Sequence, residues 1–114
     1  VVDDNLDAAR SLVALLNVKG HRARMALDGS QALAVAEDMQ PEVILMDIGM
    51  PGLNGLETCR RLREQPWGRQ ITIVALTGLG QASDRAESER AGFDAHLVKP
   101  VDLTTLSRFL ANAP

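Results

Sequence analysis

A single cysteine, Cys59, stands in the 114 residues, so no disulfide can form within the chain. That excludes the small cross-linked extracellular scaffolds and suits a cytosolic setting. Tyrosine is missing, and the aromatic share is only 3%. A core must therefore come from Leu, Val, Ile, Ala and Met. There is no basic excess: the net charge is −3, which speaks against non-specific nucleic-acid binding. No apolar run approaches the length of a membrane span, and neither a signal peptide nor a lipidation motif is visible. This domain is expected to touch neither nucleic acid nor membrane. A cytoplasmic location is expected, with a membrane-anchored parent protein still allowed.

What is present is enough for one core. The hydrophobic content is 46%, and the length fits a single domain over residues 1–114. The chain opens at Val1, and only Val1-Val2 precede the first acidic pair, against a usual strand of roughly 5–6 residues. We read it as a segment of a longer protein with its first strand truncated.

Strand-like and helix-like stretches alternate from end to end. Asp4 or Asn5 can cap a helix reaching about Val18, with Ala9, Leu12, Val13 and Leu16 on one face. Arg22 to Leu27 reads as a strand. Asp28-Gly29-Ser30 is a turn and cap before an Ala-rich helix from Gln31 to Met39, which Pro41 ends. Val43 to Met46 is apolar throughout, as a central parallel strand covered on both faces must be. A helix over about Leu56 to Glu64 points Leu56, Cys59 and Leu62 inward. Ile71 to Leu76 and Asp94 to Val98 are strands. Between them, Gln81 to Ala91 is a helix with a sparse apolar face, stopped by Gly92. A last helix begins at Val101-Asp102 and carries Leu103, Leu106, Phe109 and Leu110. Met46, Met50 and Cys59 read as core or loop filler, and His21 as a surface residue.

Such alternation implies a parallel sheet with helices on both faces. Right-handed crossovers then bring every strand-to-helix loop to one edge. Asp3-Asp4, Asp47, Thr77 and Lys99 each end or follow a strand on that edge. Any one of them alone is ordinarily a cap or a solvated side chain; their convergence is what points to chemistry. Clustered carboxylates repel, and a hard cation relieves the repulsion. Mg²⁺, with Mn²⁺ as a substitute, prefers one or two carboxylates plus phosphate oxygens. Asp4 and Asp47 are candidate direct ligands, Asp3 a ligand through water, and Gly49 a backbone-carbonyl ligand. Asp47, between the acidic pair and the lysine, is the candidate nucleophile, since carboxylates form acyl phosphates. Lys99 would neutralise oxygens of a transferring phosphoryl group, and Thr77 would hydrogen-bond one of them once attached.

With these residues in place, the sequence resembles a two-component response-regulator receiver domain. The matching stretches are Val1-Val2-Asp3-Asp4-Asn5, Val43-Ile44-Leu45-Met46-Asp47, Met50-Pro51-Gly52-Leu53-Asn54-Gly55, Ala75-Leu76-Thr77-Gly78 and Val98-Lys99-Pro100. The resemblance implies a flavodoxin-like, doubly wound, five-stranded parallel sheet of order 2-1-3-4-5 with five helices. It implies that Asp47 takes a phosphoryl group from a phosphohistidine on a histidine kinase or histidine phosphotransfer protein. It further implies Mg²⁺ on Asp3, Asp4, Asp47 and the Gly49 carbonyl, Thr77 and Lys99 as switch residues, and a cis peptide bond before Pro100. Phosphorylation and dephosphorylation would be catalysed within the domain. An output partner or domain would read a shift of the fourth helix, fifth strand and fifth helix. The family often carries Tyr or Phe three residues before the lysine; here that switch position holds His96, a smaller and polar imidazole, which makes a pH-sensitive switch an expectation to test.

Val2-Asp3-Asp4-Asn5 and Phe93 through Asp102 resemble receivers fused to hybrid sensor histidine kinases. Two other functions compete. Aspartyl-phosphate hydrolases of the haloacid-dehalogenase type place a second Asp two residues after the nucleophile, where this chain has Gly49. A pseudo-receiver, a protein-interaction module without phosphorylation, usually loses an acidic residue, the phosphoacceptor or the lysine, and all are present here.

Overall fold

The structure is a computed structural model and describes residues 1–48, 55–77, 89–98, 104 and 106–108. Helix α1 runs Leu6–Val18. Asn5 is its cap: it is extended, and its side chain accepts the Ala8 N–H at 3.0 Å. Ala9 and Leu16 are buried, with Leu12 and Val13 partly so, which is the expected stripe. Helix α2 runs Gly29–Met39. Its cap Asp28 accepts from the Gln31 N–H at 2.8 Å, and the Gln31 side chain reaches back to the Leu27 N–H at 3.0 Å. It ends on Gln40 at φ 48°, just before Pro41.

Three strands form the ladder: β1 (Val43–Asp47), β2 (Thr72–Thr77) and β3 (Ala95–Val98), parallel and in that order. Val43 pairs with Thr72, Asp47 with Leu76 and Thr77 with Val98. Helix α3 (Gly55–Glu64) links β1 to β2, followed by a single 3₁₀ turn, Pro66–Gly68, that the periodicity did not reveal. On the far side of β1, Val2 bridges Met46 and Ala26, both in parallel. The spatial order is therefore Ala26, Val2, β1, β2, β3, the expected 2-1-3-4-5. The first two members are isolated bridges and not the full strands anticipated. A ladder needs residues on both sides, and only Val1 and Val2 precede Asp3 to face the segment from Arg22.

The sheet is covered on both faces. One side packs Val2, Ile44, Met46, Ile73 and Ala75 against Ala32 and Ala36 of α2 and Cys59 and Leu62 of α3. The other packs Leu45, Val74 and Leu76 against Leu16 of α1 and Leu106. This is why β1 and β2 read as unbroken apolar runs: alternate residues enter different cores. The anticipated helix at Gln81–Ala91 is described only over residues 89–91, which are helical; Ala91 is buried and Gly92 follows at φ 110°. Of the last helix, Thr104 and residues 106–108 are described, and they are helical. Among the described residues no helix is long and apolar enough to cross a membrane.

Candidate functional site

The site forms where the sheet's carboxyl edge meets the start of α1. The Val2 N–H donates to the Leu45 carbonyl at 2.7 Å and the Asp47 N–H to the Val2 carbonyl at 2.8 Å. That double tie sets Asp3 beside Asp47 across neighbouring chain segments. Asp3 then accepts the Asn5 N–H at 2.9 Å through Oδ1, a local turn that leads into the helix cap. Asn5, and not Asp4, is the cap, so Asp4 stays between turn and helix with its side chain exposed. Asp3 and Asp47 are buried.

Asp3, Asp4 and Asp47 each offer a carboxylate oxygen, and these oxygens lie within 4.8 Å of one another. Charged carboxylates no more than 4.8 Å apart repel one another, by about 3.5 kcal/mol or more at an effective dielectric of about 20. Oxygen-only donors so spaced suit a hard divalent cation. Thr77 closes β2 at the same edge and is buried; its hydroxyl donates a long hydrogen bond, 3.5 Å, to the Leu97 carbonyl. Four predicted site residues, Asp3, Asp4, Asp47 and Thr77, thus lie at one edge of the sheet. Gly49, Lys99 and Pro100 lie outside the described residues, as do the loop 49–54 and Gly78.

His96 sits in β3 opposite Ala75. Its Nε2 is buried and has no hydrogen-bond partner among the described residues. Its ring lies 6.4 Å from that of Phe93, tilted by 43°.

Two structural supports escaped the sequence reading. Gly55 opens α3 directly against the strand end: a Cβ there would lie 2.6 Å from Ile48 Cα and 2.9 Å from the Asp47 carbonyl oxygen. Arg63, in the last turn of α3, donates to the carbonyls of Gly68, Ile71 and Gly92 and to the Asp94 carboxylate. A signal for it existed, since Arg63 follows Cys59 by one helical turn and so falls on the inward flank, where a charge must be paired.

A family model for the response regulator receiver domain matches residues 1–111. The protein PilH of Pseudomonas aeruginosa is 37% identical over 106 residues, covering 93% of this chain and 88% of PilH. The response regulator PleD of Caulobacter vibrioides is 38% identical over 102 residues; the match covers 90% of this chain but spans only 22% of PleD. Among solved structures, the receiver domain of the sensor histidine kinase PA1611 of Pseudomonas aeruginosa superposes with a TM-score of 0.85 at 36% identity, covering 96% of this chain and 89% of that one. That structure holds a magnesium ion in its active-site cleft.

Proposed function

This chain belongs to the response regulator receiver domain family, and from that premise we propose that it is a phosphorylation-switched signalling domain whose Asp47 accepts a phosphoryl group from a phosphohistidine. The observation that carries this reading is the trio of carboxylate oxygens within 4.8 Å at the strand-end edge. Their donor set fits Mg²⁺, which Asp4 and Asp47 would hold directly and Asp3 through water, with the Gly49 carbonyl as a further candidate ligand. When bound, Mg²⁺ supplies positive charge that lets an anionic phosphoryl group approach an anionic carboxylate.

The chain's own residues do the rest. Asp47 attacks the phosphorus through a carboxylate oxygen; a new O–P bond forms as the donor's N–P bond breaks, and the electron pair leaves with the imidazole. Lys99, following Val98 at the same edge, offsets charge on the phosphoryl oxygens. Thr77 then exchanges its long bond to Leu97 for one to a phosphoryl oxygen. That exchange makes Thr77 the switch together with His96, whose Nε2 has no competing bond among the described residues. A partner reads the resulting shift in the fourth helix, fifth strand and fifth helix, by selection of a conformation already present. The donor is a histidine kinase or a histidine phosphotransfer protein. The likeness to a receiver from a sensor histidine kinase supports a hybrid-kinase setting.

The test is intact mass after incubation with acetyl phosphate, with and without Mg²⁺, for the wild type and Asp47→Asn. One added phosphoryl group that requires both Mg²⁺ and Asp47 is expected. No adduct, together with no beryllofluoride complex, would refute phosphorylation and leave the pseudo-receiver.

A further inference from the structure

The edge of the sheet opposite the site carries a clamp. Arg63 Nη1 donates to Gly68 O at 2.9 Å, Arg69 O at 3.3 Å and Ile71 O at 2.6 Å. Its Nε and Nη2 both reach Gly92 O, at 3.0 and 2.8 Å, and Nη2 also reaches Asp94 Oδ2 at 2.7 Å. Asp94 Oδ2 in turn accepts the Ile73 N–H at 2.8 Å, while the Asp94 N–H donates to Ile73 O at 2.8 Å. Gly92 makes the approach possible: a Cβ there would lie 2.7 Å from Arg63 Cγ, and its φ of 110° suits only glycine.

One guanidinium therefore ties the end of α3, the entry to β2 and the entry to β3. It does so through main-chain carbonyls where three chain segments turn together. The planar fork of arginine suits this; a lysine could not serve as many acceptors at fixed angles. Strand β3 needs such an anchor. It has four residues, pairs only with β2 among the described strands, and none of its residues is fully buried. At its other end, Thr77 stands opposite Val98, and Lys99 comes next in the chain. The three carboxylates, by contrast, hang on β1 and the Val2 bridge, to which Arg63 makes no hydrogen bond among the described residues.

We infer that Arg63 is a positioning residue: by holding the entry of β3 to β2 through Asp94 and Gly92, it fixes the exit of β3, where Val98 stands opposite Thr77 and from which Lys99 follows in the chain. The inference rests on the phosphoacceptor reading of the site. It divides the site into a cation-binding half that is independent of Arg63 and a phosphoryl-binding half that depends on it.

The experiment compares wild type, Arg63→Met, Lys99→Ala and the double variant, each shown to be folded by circular dichroism. Phosphorylation by acetyl phosphate is followed by mass, Mg²⁺ affinity by calorimetry, and amide exchange strand by strand. Arg63→Met keeps most of the stem and removes the fork. We expect phosphorylation slowed about tenfold, Mg²⁺ affinity within about twofold of wild type, and no further slowing when Lys99→Ala is already present. Exchange should quicken in β3 and not in β1. Equal loss of Mg²⁺ affinity and rate, an unchanged rate, or a full effect in the Lys99→Ala background would overturn the inference. If Arg63→Met does not fold, Asp94→Asn, which keeps an acceptor for Ile73 and loses the charge pair, must show the same split in smaller measure. If the wild type takes no phosphoryl group, the functional reading fails by itself, and β3 exchange alone decides the clamp.

Discussion

Gly55→Ala should destabilise the protein although alanine is the better helix former. An added Cβ would stand 2.6 Å from Ile48 Cα, 2.9 Å from the Asp47 carbonyl oxygen and 3.2 Å from Ile48 Cβ. Ordinary carbon contacts lie at about 3.5–4.0 Å, so α3 or the strand exit must move by about 1 Å. Neither moves easily. The nearest two atoms are backbone, and α3 is pinned by Cys59 and Leu62, both fully buried on the face it presents to the sheet. Overpacking of this kind costs about 1–3 kcal/mol. The gain from replacing glycine in a helix is about 0.5–1 kcal/mol at most, and less at a first residue. The net loss should be about 1–2 kcal/mol, which for a domain of this size lowers Tm by roughly 4–8 °C. Urea unfolding should show a lower midpoint at unchanged slope. Because the displaced carbonyl belongs to Asp47, Mg²⁺ affinity should fall as well. A midpoint equal to or above that of the wild type, at the same slope, would refute the argument from close approach.

The remaining expectations concern the Cys59 thiol. Burial pushes the Cys59 thiol up to about 11 despite the nearby Arg63, so a thiol reagent at pH 8 should label it only as fast as the protein opens, and prompt labelling of the native state would contradict this. The unfolded thiol ionises first on raising the pH, so this group withdraws stability between about 9 and 11.

Much of this protein was determined by sequence alone because the relevant physics is local. A helix announces its buried face within a few residues, and Ala9, Leu12, Val13 and Leu16 lie where their spacing put them. Caps act over three residues, as Asn5 and Asp28 do. An apolar run such as Val43 to Met46 requires cover on both faces, and the alternation of elements then brings Asp3, Asp4, Asp47 and Thr77 to one edge. Tertiary structure decided what local pattern cannot carry. It chose Asn5 over Asp4 as the cap and reduced the first two strands to bridges at Val2, because a ladder depends on what faces it. It set Gly55 against Asp47 and joined Arg63 to Gly92 and Asp94, contacts spanning 29 and 31 residues in the second case. Periodicity reports that a side chain faces inward; only the packed sheet determines which atoms meet it there.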